Sequence, residues 1–130
     1  MGWMKIKRDK KEKWLLTGLW CVLIFLGSSL PGAKVSEVEL IDFVAHKSVH
    51  ILEYAILAVL LFRSTGSYWW AFVLSLAFGF TDETHQLFVT NREGKIRDAL
   101  IDGFGSLISL LLLWKFLPKA PKKLKNWLPK

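Results

Sequence analysis

Seventeen consecutive residues, Trp14 to Leu30, carry no charge, and as a helix they would extend about 26 Å, enough for a hydrocarbon core with flanking anchors. In hydrocarbon the backbone must satisfy its own hydrogen bonds, so such a run is read as a helix. Pro31-Gly32 ends it. A second span runs from about Phe43 to Phe62, polar in its first half and purely apolar from Ala55 onward. Arg63-Ser64-Thr65-Gly66-Ser67 reads as a tight turn. The third begins at Tyr68-Trp69-Trp70, an aromatic cluster of the kind found at membrane interfaces, and runs to about Phe88. Thr90-Asn91-Arg92-Glu93-Gly94 connects it to a fourth span, from near Asp98 to Leu117-Pro118, after which alternating Lys and Pro are expected to stop any helix. The expected fold is an all-α integral membrane protein with four transmembrane helices. Residues 1–13 form a basic tail, 14–117 the membrane domain and 118–130 a second basic tail.

Composition agrees with that reading. A chain of 130 residues that is 52% hydrophobic, with short polar connections, allows one membrane domain. Its net charge of +7 could suggest nucleic acid, but the basic residues flank the apolar spans and no basic, aromatic-interleaved recognition element lies between them. With both termini in the cytoplasm, the inner side holds thirteen Lys/Arg against two acids, and the outer side five Lys/Arg against nine acids with all three His. That bias sets the topology expected of the chain, with anionic lipid attracting the tails. A basic start, an apolar stretch and Gly27-Ser28-Ser29 also resemble a signal peptide, but the apolar part is long and Pro31 sits close to any cut, so a retained first helix is expected. The lone Cys21 forms no disulfide framework.

Ionisable side chains inside these spans are the functional signal. Such groups cost about 3 kcal/mol or more to insert and are usually kept for a purpose. Asp42, His46, His50 and Glu53 fall at i, i+4, i+8, i+11, within an arc of about 80° on a helix, with Tyr54 bordering the stripe and Lys47 further round. On the third span Asp82 and Gln86 are i, i+4 neighbours, Glu83 and Gln86 are i, i+3, and His85 falls on the other flank. On the fourth, Asp98, Asp102, Gly105 and Ser109 form a narrow stripe of carboxylates and small residues, the latter suited to close helix approach. The three stripes lie at the outer ends of their helices and would converge on a pocket opening outward.

Three blocks of residues resemble the VanZ-like membrane proteins. The first is His46-Lys47-Ser48-Val49-His50-Ile51-Leu52-Glu53-Tyr54, a histidine followed by an acid–tyrosine pair. The second is Asp82-Glu83-Thr84-His85-Gln86, similar to the family's Asp-Glu-x-x-Gln signature. The third is Arg92-Glu93-Gly94 followed by Asp98, Asp102 and Gly105. The chain has Asp102 where the family usually has Asn, and lacks the Lys that often follows the acid before the first block. The resemblance covers about residues 42 to 109. It implies a small helical membrane protein of the cell envelope, of a family whose namesake is associated with resistance to the glycopeptide teicoplanin, and it implies no established reaction.

The residues admit several chemistries. A binding pocket for an envelope lipid or glycopeptide would draw on His46, His50, Glu53, Tyr54, Asp82, Glu83, Gln86, Arg92, Asp98 and Asp102, without metal or other cofactor. Arg92 could grip a phosphate or carboxylate in bidentate fashion. An enzyme acting on a lipid-linked precursor would use paired carboxylates near a histidine as acid and base, with His46, Glu53, Asp82, Glu83 and Asp98 as candidates. No motif marks an activated serine. His46 and His50 have the i, i+4 spacing of helical zinc ligands, although His46-Lys47-Ser48-Val49-His50 lacks a zincin's Glu. The bland alternative is that the acids pair with Lys47, Arg92 and the histidines to hold helices together. Partners are the bilayer, an envelope ligand and possible further copies of the chain. The seven Trp mark interfacial depth, and the last twelve residues are expected to lie on the inner leaflet without a stable helix.

Overall fold

A computed structural model describes residues 2–30, 36–89 and 94–129, with side chains in the first helix from residue 9. The helices are α1 (Gly2–Ser29), α2 (Glu39–Thr65), α3 (Tyr68–Gln86), α4 (Ile96–Phe116) and α5 (Lys122–Trp127), with a 3₁₀ turn at Leu117–Lys119 between the last two. No strand occurs among the described residues. Two helical stretches, Glu39–Thr65 and Ile96–Lys119, are long and apolar enough to cross a membrane. In α1 the charges of the first half shorten the apolar window, and in α3 Asp82 and Glu83 occupy the final turns.

Contacts between helices fix an up-down-up-down order. Thr17 on α1 meets Ser64 and the Leu60 carbonyl on α2, while Trp20 Nε1 donates to the Glu53 carbonyl at 3.0 Å. The α2–α3 turn stacks Phe62 on Tyr68, ring centroids 4.1 Å apart. Lys47, Ile51 and Ala55 of α2 face Asp98, Gly105 and Ser109 of α4 in the same direction. Glu83 and Ser75 of α3 meet Lys95 and Ser106 in the opposite one. A Cβ on Gly105 would come within 2.9 Å of the Ile51 carbonyl, so glycine there sets the α2–α4 distance. Ser109 Oγ donates across the same seam to the Ala55 carbonyl at 3.1 Å. Small residues and serine hydroxyls thus join the helices where backbones run close.

The turn between α2 and α3 is tighter than the expected five residues. Arg63, Ser64 and Thr65 continue the helix, and Gly66 (φ 73°) ends it by donating to the Phe62 carbonyl at 2.8 Å. Ser67 then caps α3, its hydroxyl accepting from the Trp70 N–H at 3.3 Å. A left-handed glycine followed by a serine N-cap needs only two residues to reverse the chain.

The expectation that Lys/Pro alternation abolishes helix after Pro118 is corrected. Pro118 lies in the first turn of the 3₁₀ segment, and Pro121 (φ −58°) is the residue before α5, positions that require no proline N–H. The α5 segment folds back on the bundle. Leu128 is buried in the core, and Arg63 donates from Nε to the Trp127 carbonyl at 3.1 Å with its guanidinium 4.4 Å from the Trp127 ring centre.

The core centres on α2, with Tyr54, Leu57, Ala58, Leu61 and Phe62 packed against Ile24, Ala71 and Leu110. Polarity runs inside out. Asp82, Glu83, Gln86, Asp98, Asp102, Ser75 and Ser106 are buried, while Leu15, Leu19, Leu23 and Leu26 of α1, Val49 and Leu52 of α2, and Leu107, Leu111 and Leu112 of α4 are exposed.

Candidate functional site

Antiparallel order brings the C-terminal end of α1, the first half of α2, the last turns of α3 and the start of α4 to one end of the bundle. The sequence places its polar residues in these same stretches, and the structure packs them into one layer.

At its centre lies Asp82, 1% exposed. Its Oδ2 accepts from Ser28 Oγ at 2.8 Å and from Gln86 Nε2 at 3.4 Å, and the same Gln86 nitrogen donates to Ser28 Oγ at 3.3 Å. Asp82 Oδ1 meets no hydrogen-bond donor among the described residues, and neither does Asp102 Oδ2. Tyr54, fully buried, brings its hydroxyl toward Asp82 without closing a hydrogen bond, with Asp102, Glu83 and Glu53 as its other charged neighbours. The i, i+4 spacing of Asp82 and Gln86 made their contact legible in sequence.

Around this centre each acid is held differently. Glu83 Oε2 accepts the Lys95 N–H at 3.1 Å, joining the end of α3 to the start of α4. Gly94 lets the chain pass there, since a Cβ on it would collide with the Glu83 carbonyl. Lys47 Nζ lies 2.8 Å from Asp98 Oδ1, and Arg97 Nε, on a largely exposed side chain, lies 3.8 Å from the same oxygen. His50 Nδ1 is 3.8 Å from both Glu53 Oε2 and Asp102 Oδ1, so it sits between helices α2 and α4.

His46 is turned differently: its Nδ1 donates to the Asp42 carbonyl one turn earlier at 2.8 Å, with Asp42 Oδ1 at 3.6 Å. The histidine stripe therefore divides, His50 facing the acids and His46 bonding within its own helix. His85 faces α1, stacked on Phe25 at 4.1 Å and hydrogen-bonded to Ser29 Oγ at 2.8 Å. Arg92 lies outside the described residues. Among the described residues, no three His, Cys, Asp or Glu side chains are arranged to hold a metal ion.

One participant escaped the sequence reading, and another entered it only in the ion-pair alternative. Ser28 appears there only as a small residue at the end of an apolar run, and Lys47 lies off the stripe. Nothing local identifies Ser28. For Lys47 the signal was available: a cation one helical turn from His50, in a segment otherwise rich in acids, is costly to insert unless it finds one of them.

Among the described residues, the layer sets Glu53, Asp82, Glu83, Asp98 and Asp102 against Lys47, the His50 ring and, at its exposed edge, Arg97. Its unfilled capacity, among the described residues, is chiefly for accepting hydrogen bonds, from hydroxyl or amino groups, with the Tyr54 hydroxyl as a donor beside it. A separate cleft, of about 530 Å³, lies at the opposite end of the bundle beside Trp114 and Lys125.

A family model described as VanZ/LLP1 matches residues 13–117, a stretch that contains every residue of this layer. No curated protein and no solved structure matches the chain.

Proposed function

The chain belongs to the VanZ/LLP1 family, and from that premise we propose that it is a four-span protein of the cell membrane that contributes to glycopeptide (teicoplanin) resistance. In this reading both termini are cytoplasmic, and the polar layer, on the outer side, engages an envelope lipid or glycopeptide. Inside-out polarity supports the membrane setting, because exposed leucines on α1, α2 and α4 suit lipid and a water-soluble domain does not leave such extensive apolar surface open. The basic flanks support the orientation.

The observation that carries the ligand reading is the pair of carboxylate oxygens, Asp82 Oδ1 and Asp102 Oδ2, buried without a closed hydrogen bond among the described residues, with the Tyr54 hydroxyl beside Asp82. Helix adhesion alone does not call for them. Buried ion pairs are poor net stabilisers, and the serine and glycine contacts already join α2, α3 and α4. Acceptors placed so favour a ligand bearing hydroxyl or amino groups.

Purified protein, with and without divalent metal, incubated with extracted envelope lipids and followed by mass spectrometry, tests the reading. A binder retains a lipid in fixed ratio and leaves its mass unchanged, and an Asp82→Asn/Glu83→Gln double variant loses both the lipid and the resistance phenotype. Catalytic conversion of a lipid-linked precursor, abolished in Glu83→Gln, would replace binding with acid/base chemistry. A bound metal lost in His46→Ala and His50→Ala would add a metal to it. Full resistance in a double variant that retains no lipid would refute a role for the layer.

A further inference from the structure

The cleft at the other end of the bundle belongs to neither the family blocks nor the acidic layer. Tyr68 at the start of α3, Trp114 near the end of α4, Leu117 and Pro118 supply an apolar and aromatic wall, and Lys125 and Asn126 of α5 form the polar side. The volume is about 530 Å³. Its α5 wall is anchored rather than loosely apposed: Leu128 is buried, Arg63 holds the Trp127 carbonyl and ring, and Pro129 packs beside Gly66.

Charge is one-sided here. After Asp102 the chain has no acidic residue, while Lys115, Lys119, Lys122, Lys123 and Lys125 follow in quick succession. Trp114 is 65% exposed although it lies beside this basic segment, so an apolar surface and a positive one meet at the cleft, whose lining holds Lys125 and no acid. A ligand complementary to both has an apolar tail and an anionic head.

We propose that this cleft binds one anionic phospholipid of the cytoplasmic leaflet, its acyl chain against Trp114 and Leu117 and its phosphate beside Lys125. The site rests on the both-ends-inside topology and not on the acidic layer. Lipid held there would tie α5 to the ends of α3 and α4, as an interfacial strap fixed at the depth of the headgroups.

The test is native mass spectrometry of the full chain in detergent, titrated separately with phosphatidylglycerol and phosphatidylcholine. One phosphatidylglycerol is expected to survive activation at concentrations where phosphatidylcholine is lost. Lys125→Gln should weaken that retention about fivefold, the effect of one lysine at an anionic surface. Trp114→Ala should weaken retention of the same lipid, and Lys10→Gln, an equal charge change on exposed α1, should leave it unchanged. Equal retention of the two lipids, or an equal loss in Lys10→Gln and Lys125→Gln, overturns the site in favour of diffuse basic attraction. Cysteine labelling reports the topology separately, so tails reached from outside the cell would refute the membrane orientation and the leaflet assignment together, whatever the titration gives.

Discussion

Replacing Lys47 with Met isolates the shortest ion pair of the polar layer among the described residues. Its ammonium lies 2.8 Å from Asp98 Oδ1, with only 18% and 11% of the two side chains exposed. The variant keeps most of the aliphatic volume and removes the charge, leaving the Asp98 carboxylate in place. Arg97 is a poor substitute: its Nε is 3.8 Å away and its side chain is 63% exposed, so water and side-chain entropy compete for it. Stranding one partner of a buried pair costs about 3–5 kcal/mol. Because Lys47 retains some contact with the surface, the lower end, about 3 kcal/mol, is expected here. Adding Asp98→Asn removes the stranded charge, so the double variant should recover much of the loss, giving a coupling of about 1–3 kcal/mol in a double-mutant cycle. The assay is reversible unfolding in mixed micelles, followed by helicity. If Lys47→Met costs under about 1 kcal/mol with negligible coupling, the pair behaves as an exposed one and the buried-layer argument fails.

Other expectations test separate contacts. Ser28→Ala removes the shortest hydrogen bond to Asp82 and one partner of Gln86, and should cost about 1.5–3 kcal/mol, the range for bonds to charged groups, measured by the same unfolding assay. Gly105→Ala forces a Cβ to within 2.9 Å of the Ile51 carbonyl, and should destabilise the bundle by about 1–3 kcal/mol while Gly18→Ala, with open space around it, does not. In a Cys21→Ser background, membrane-impermeant thiol reagents applied to intact cells should label a cysteine at Lys95 and none in residues 1–13 or 118–130. Labelling of either tail from outside would contradict the four-span orientation.

Much of the architecture was legible because long apolar helices advertise themselves locally. Apolar length located helices α1 to α4, Gly66 and Ser67 punctuated α2 and α3, and the stripe of Asp98, Asp102, Gly105 and Ser109 anticipated the face on which α4 meets α2. The error at Lys122–Trp127 came from treating Pro121 as a breaker when it stands just outside the helix it precedes, and the one at residues 63–65 from reading as turn three residues that extend α2.

The sequence by itself determined which side chains share a helix face, since 100° per residue is a property of the local backbone. It therefore grouped Asp82 with Gln86 and Asp98 with Asp102 before any packing was known. Partners across helices depend on rotation and axial stagger, which no single segment encodes. Only the tertiary structure decided that Ser28 bonds Asp82, that Lys47 finds Asp98, that His46 bonds its own helix while His50 reaches toward Asp102, and that Leu128 returns to the core. Close approach at Gly105 and the seam of serine hydroxyls set that stagger, because backbones in near contact leave helices few ways to slide.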